Sequence, residues 1–264
     1  MFVDTVGCVP VAGVCCTLCG SMIMYETPHN GVNHQMGTSG FLYRSNKLMY
    51  DQATQSLWNT LWVKQGIGLP ADEDITLKRR SVETSTWGEW RRRHPDTKVL
   101  SLDTGHDRDC SEGAAYRSHF ATEELIFHVP ELDRRLKNKA EVLVLVAGDE
   151  SEQLAISAKF LSKNPVHHDA VGGDKFVVLT DASRANLAYA TDGVEFTSWD
   201  AASTATDKAG RQLAEREDKL ASVTGKTLDR FPTHRDFWFA WYASYPKTRL
   251  FRSSGLTMRR GQNP

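Results

Sequence analysis

Apolar and polar positions alternate with a short period through much of the chain, and this predicts strands more often than helices. Residues 9–14 are apolar and read as a first strand, and residues 21–26 as the next. A turn cluster at 28–31 and glycines at 37 and 40 punctuate the pattern before Phe41, Leu42 and Tyr43, so residues 9–50 are expected to form β-hairpins. Residues 141–147 form a continuous apolar, β-branched run, the signature of a buried strand. Three stretches read as helices. Residues 151–163 follow a candidate N-cap at Ser151, residues 130–139 carry Pro130 near their start with Leu132 and Leu136 four apart, and residues 203–223 are rich in Ala, Lys, Glu, Gln and Leu. Residues 101–129 are polar and irregular, and residues 253–264 read as a disordered tail.

One pattern occurs twice. Trp87, Trp90, Pro95 and Thr97 line up with Trp238, Trp241, Pro246 and Thr248 at a constant offset, in a chain holding seven tryptophans. Each copy reads as a short helix that stops before proline and passes into a buried strand, at Val99–Leu100 and at Leu250–Phe251. Thr86 with Glu89, and Thr233 with Asp236, have capping-box spacing. Tryptophans three apart share a helix face and read as core anchors, with a ligand-stacking platform as the sharper reading. Arg91, Arg92 and Arg93 read as a solvated face.

Weaker echoes extend the match. Asp4 to Gly7 recurs at Asp169 to Gly172, Asp51 to Leu57 at Asp207 to Leu213, and Leu77 with Arg79 at Leu228 with Arg230. The expected fold is therefore α+β, mainly β, with two pseudo-symmetric repeats forming one globular domain and packed through their Trp-bearing helices. The first repeat spans 1–129, a linker helix 130–140, and the second repeat 141–252. The strand at 141–147 and the helix after it have no counterpart ahead of Asp4. The first repeat is thus expected to lack its N-terminal strand, to leave an unpaired sheet edge, and to descend from a longer chain.

Composition removes some functions. At 264 residues the chain can bury a full core, and a net charge of −1 lacks the basic footprint of a nucleic-acid protein. No apolar run is long enough to span a membrane, and residues 3–14 are interrupted and lack the basic start of a signal peptide.

The candidate chemistry centres on Cys16 and Cys19, a C-x-x-C pair followed by Gly20, with Cys8 and Cys15 nearby. Three readings stand. The pair is half of a thiolate metal site for zinc or a similar ion, to be completed by Cys8, His29, His34, His106 or Cys110; or a redox dithiol; or small apolar residues in a hairpin. The second repeat carries Asp181 and Arg184 at the matching positions, so the scaffold does without the sulfurs, which favours a site. Ser39, Asn46, Asp51, Ser56, Trp58 and His94 are candidate pocket residues for a small-molecule ligand, although Asp51 with Thr54 also suits a local turn. Phosphate loops, G-x-S-x-G and H-E-x-x-H motifs are absent.

These motifs resemble a bacterial and archaeal family, domain of unknown function 3179. Its pattern is met by Asp4 to Gly7 with Pro10 and Val11, by Cys16 and Cys19, by Gly37 to Leu42, by Met49 to Trp58, and by His94 to Gly105. The resemblance runs nearly the whole chain. It departs at Cys8 and Thr17, and in the glycine-rich stretch near Gly66 and Gly68. It implies an exported or envelope-associated protein with more sequence ahead of the domain, and no established activity. Two functions follow as expectations: a metal- or thiol-dependent site protein using Cys16 and Cys19, or a non-catalytic binding or structural module of the cell envelope.

Overall fold

The computed structural model describes residues 1–67, 75–103, 105–111 and 113–253. Strands hold 42% of the chain and helices 11%, so the fold is mainly β, and almost all of its strand pairing is antiparallel. The degraded glycine stretch reaches into residues 68–74, and the expected tail falls largely on 254–264; both lie outside the described residues.

Turn chemistry sets the first sheet. Gly7 and Cys8 both adopt positive φ (56° and 67°), the geometry of a tight two-residue hairpin between Phe2–Val6 and Val9–Cys16. Ser21–Glu26 joins as the third strand, its residues alternating between buried and half-buried, and Arg79–Arg80 closes the edge against Met24 and Tyr25. A four-stranded meander follows from Met36–Tyr43, Asn46–Asp51, Ser56–Asn59 and Lys64–Ile67.

The second half also opens on a tight hairpin. Val166–Val171 and Asp174–Thr180 meet at Gly172 and Gly173, again with positive φ (57° and 92°), and Asn186–Ala190 is the third strand. Tyr189 bridges Arg230, as Tyr25 pairs with Arg79. A five-stranded meander runs from Phe196–Trp199 through Thr204–Asp207, Gln212–Glu215 and Lys219–Ser222 to Thr227–Asp229.

A central sheet joins the parts in the order His234–Phe237, Glu141–Val146, Gln153–Ser157, Arg249–Phe251, with the last pair parallel. Its middle hairpin is buried on both faces. Val142, Val144 and Ala155 enter a core with Ala12, Ile23, Trp58, Trp238 and Trp241, while Leu143, Leu145, Leu154 and Ile156 enter a second core with Val171 and Phe176. Side chains alternate across a strand, so one hairpin seals two cores.

The α-helices among the described residues are four and short: α1 (Trp87–Arg93), α2 (Arg117–Ala121), α3 (Ala158–Leu161) and α4 (Trp238–Ser244). The two Trp-bearing helices share their local geometry. Trp90 Nε1 donates to Thr97 Oγ1 and Trp241 Nε1 to Thr248 Oγ1, each at 3.0 Å. Both helices end at a residue near φ −130°, His94 and Tyr245.

Their burial is opposite. Every residue of α4 is buried and none of α1 is; Trp87 is 52% exposed and Trp90 37%. The expectation of Trp pairs as core anchors therefore holds for α4 and fails for α1. The two Trp-bearing helices do not pack on each other as expected: α4 lies against strands of the first half, and the end of α1 meets Glu217 of the second. The reason is the hairpin at 141–157, which covers α4 and has no equivalent over α1 among the described residues.

Other expectations change for related reasons. Residues 99–100 form no strand, because the parallel partner that Arg249–Phe251 finds in Gln153–Ser157 is missing there. Residues 153–157 are a central strand rather than a helix, leaving α3 as one turn. Residues 203–223 form three strands joined by tight turns, and 130–140 runs as turns without a helix. Thr86 caps α1 by accepting from the Glu89 N–H, but Thr233 caps nothing, because α4 starts after Phe237.

Candidate functional site: a buried cysteine pair

Val11 to Val14 are all buried, and only at the end of Val9–Cys16 does the alternation of faces show, leaving Cys15 exposed and Cys16 buried. A single 3-10 turn, Thr17–Cys19, then brings Cys19 back beneath it. Gly20 closes the turn at φ 68°, where its N–H donates to Thr17 O, and the Phe237 ring lies against it so closely that a Cβ would sit 2.9 Å from the ring. Only glycine meets both demands without strain. Cys16 and Cys19 are free thiols, 3% and 0% exposed, with their sulfurs 2.8 Å apart.

The second half supplies the floor. Phe239, Ala240 and Ala243 of α4 pack on the two cysteines with Val129. Ser45 holds the loop between Met36–Tyr43 and Asn46–Asp51 against α4 by donating to Ala240 O, and Arg44 donates to Ala243 O. Cys19 donates to Ser45 O at 2.9 Å. Asn46 donates to Ser21 Oγ beside the turn, Lys47 donates to Cys15 O, and His119 contacts Leu18 O at 3.0 Å.

Electrostatics separate the two sulfurs. The hydrogen bond from Cys19 lowers the Cys16 thiol from 9.0 to about 7; burial opposes this, and the Cys19 amide and the Lys47 charge add to it. Cys19 is pushed far above the ordinary thiol range by its bond to Cys16, by burial, and by the negative charges of Cys16 and Asp236. Cys19 carries one proton and has two acceptors in reach. In the neutral pair that proton points to Ser45 O and Cys16 donates to Cys19; when Cys16 ionises, the Cys19 proton turns to it. Asp236 is fully buried with neither carboxylate oxygen hydrogen-bonded, and burial together with Cys16 raises it well above the usual carboxylate range. Nearby His234 is lowered to about 3 by burial and by Arg79.

The other candidate residues divide. Asn46 lies beside the cysteine turn. Asp51, Ser56 and Trp58 join His34 and Thr54 in a separate buried chain: His34 Nδ1 to Asp51 at 2.8 Å, Thr54 to Asp51 at 2.7 Å, Thr54 to Ser56 at 2.6 Å, and Trp58 Nε1 to Ser56 at 2.8 Å. Burial pushes Asp51 up, but bonds from His34, Thr54 and two backbone amides hold it below the usual range. Ser39 donates to Leu48 O, and His94 stacks on Trp90 beside Glu217 at the surface. Ser45, Lys47 and His119 carry no motif that marks them in the sequence. Asp236 was legible only as an acidic residue three after Thr233, a spacing that pointed to a helix cap.

The donor set does not fit a closed zinc site, which takes four ligands. Among the described residues no three of His, Cys, Asp and Glu converge on a common point, Cys8 and Cys110 are exposed, and His34 is engaged by Asp51.

A family model described as "Protein of unknown function (DUF3179)" matches residues 2–248. The chain belongs to the DUF3179 family. No curated protein and no solved structure matches this DUF3179 chain. Among its described residues no helix is long and apolar enough to cross a membrane.

Proposed function

We propose that Cys16 and Cys19 form a thiol–disulfide redox site. The observation that carries this reading is the pair itself: two free thiols with sulfurs 2.8 Å apart, one acidified and one held protonated. A thiolate attacks and a thiol does not. Cys16 is therefore the attacking group and Cys19 the resolving one. Cys16 attacks one sulfur of an incoming disulfide and expels the other as a thiolate. The expelled thiolate takes the Cys19 proton, and Cys19, now a thiolate, attacks Cys16 Sγ and displaces the second sulfur of the incoming disulfide. The cysteine pair is oxidised and the incoming disulfide reduced to two thiols. Thr17 and Gly20 are exposed, so the sulfurs lie directly beneath a surface turn.

The comparison between halves supports a site. We infer that the chain arose by duplication into two pseudo-symmetric repeats, as the matching hairpins, the Tyr–Arg pairings and the twin Trp–Thr bonds suggest. Val82 and Thr233 occupy matching positions and bond to each other, Val82 N to Thr233 O at 2.7 Å, as residues beside a pseudo-twofold axis would. Where Cys16 stands in the first half, Asp181 closes the corner of the second by accepting from Ser183 and the Ala185 N–H. The hairpin corner therefore folds without sulfur.

The test is the pH dependence of alkylation in a variant with Cys8, Cys15 and Cys110 replaced by serine. Cys16 is expected to react first, with a half-maximal rate near pH 7, and Cys19 to stay unmodified until the protein unfolds. Two thiols equally inert across neutral pH would return the pair to the status of packing residues.

A further inference from the structure

Four segments distant in sequence converge on a cavity of about 600 Å³: the turns at 135–141, residues 157–162 around α3, Arg184, and Arg235 of the central sheet. Its size is that of a small-molecule site. Five of its eleven lining residues are basic and one is acidic, in a chain where 32 basic residues face 33 acidic ones. Positive charge is therefore concentrated here rather than spread with the composition.

Two of the five cations are fixed. Arg235 donates to Glu141 at 2.9 Å, to Asn186 Oδ1 and to Arg184 O. Arg135 donates to Asp133 at 2.9 Å and lies over the Trp238 and Tyr242 rings. The other three are free to take a ligand. Among the described residues the side chains of Lys159 and Arg184 have no carboxylate or hydrogen-bond partner, and Lys137 reaches only Glu123, at 4.0 Å. Arg184 is held at φ 71°, a left-handed conformation that is costly for a residue with a side chain, and the bond from Arg235 to its carbonyl braces that corner. Ser157 also lines the cavity; it is buried, and its hydroxyl makes no hydrogen bond among the described residues. A buried hydroxyl ordinarily has a partner.

We propose that this cavity binds a small phosphorylated anion carrying at least two negative charges. Lys137, Lys159 and Arg184 are its charge partners, and Ser157 donates to a phosphate oxygen. A monoanion would leave most of these cations unmatched. A phosphate sets two charges on one compact group that ammonium and guanidinium groups can surround, and such bonds are the strong ones. Neither Cys16 nor Cys19 lines this cavity.

Pyrophosphate titrated into the full chain, followed by calorimetry, is the test. One saturable site per chain is expected, with an affinity that falls as sodium chloride is raised. A Lys159→Ala/Arg184→Ala variant loses two charge-assisted contacts and should bind about a hundredfold more weakly, at roughly tenfold each. It keeps its fold, because neither side chain has a partner to lose and alanine is no more strained than arginine at positive φ. A Lys175→Ala/Lys226→Ala variant removes the same charge outside the cavity and should bind as the parent does. Citrate, with its charges spread over separate carboxylates, should bind at least about tenfold more weakly than pyrophosphate. No saturable binding, equal weakening in the two variants, citrate bound as tightly as pyrophosphate, or binding to phosphatidic acid vesicles with none to pyrophosphate would each overturn the proposal.

Discussion

Trp241 and Trp90 make the same bond, to Thr248 and to Thr97, from helices of the same length, so replacing each with alanine separates burial from local structure. The lost indole hydrogen bond costs about 1 kcal/mol in either case. An indole side chain offers up to about 250 Å². Trp241 is 0% exposed and Trp90 37%, so about 90 Å² more is removed from water at Trp241, worth about 2 kcal/mol at about 25 cal/mol per Å². A cavity adds to the cost at Trp241 and not at Trp90, which opens to solvent. Trp241→Ala should therefore cost about 4–5 kcal/mol and Trp90→Ala about 1–2 kcal/mol. Urea denaturation, followed by the remaining tryptophans and by circular dichroism, gives both values from the midpoint and slope. Equal costs for the two variants would refute the reasoning, because they would mean that α1 is covered as α4 is.

Further expectations concern the buried strand His234–Phe237 and the cysteine turn. His234 falls to about 3 on folding, so the unfolded chain takes up its proton first, and this group's contribution is complete above about pH 6.5 and lost as pH falls towards 3, by up to about 5 kcal/mol. Asp236 is raised on folding, so its contribution has the opposite slope: present below the usual carboxylate range and lost as pH climbs above it. His234→Asn should therefore make the urea midpoint fall with rising pH between 4 and 7, and Asp236→Asn should steepen the loss of stability on acidification; unchanged slopes would contradict the assignment. Gly20→Ala forces a side chain into positive φ and against Phe237, and should cost about 1–3 kcal/mol and speed alkylation of Cys19, read by mass spectrometry under native conditions.

Local signals are legible in the sequence and long-range ones are not. The strands at 9–14, 21–26 and 141–147, the Thr86 cap and the twin Trp–Thr spacing are set by residues within a few positions of each other. Residues 203–223 are rich in good helix formers yet form strands: Ala205, Leu213 and Leu220 each face the core from a separate short strand, and tertiary packing overrides propensity. Residues 153–157 failed because a strand buried on both faces has no period to detect. The same Trp motif reads as core in both copies, yet whether it is buried depends on a hairpin elsewhere in the chain. At the site, Cys16 and Cys19 were legible as a pair, while Ser45 and Asp236 come to it from distant sequence. The separate network of His34, Asp51, Ser56 and Trp58 was visible only as polar residues close in sequence.

Redox equilibrium tests the account most directly. The protein with Cys8, Cys15 and Cys110 replaced by serine is equilibrated with graded ratios of reduced to oxidised glutathione, quenched by alkylation, digested and weighed. The account predicts a reversible Cys16–Cys19 disulfide whose fraction follows the ratio and returns to dithiol on reduction, with a trapped glutathione adduct on Cys16 when Cys19 is serine. Two thiols that stay reduced at every ratio in the folded protein would contradict it.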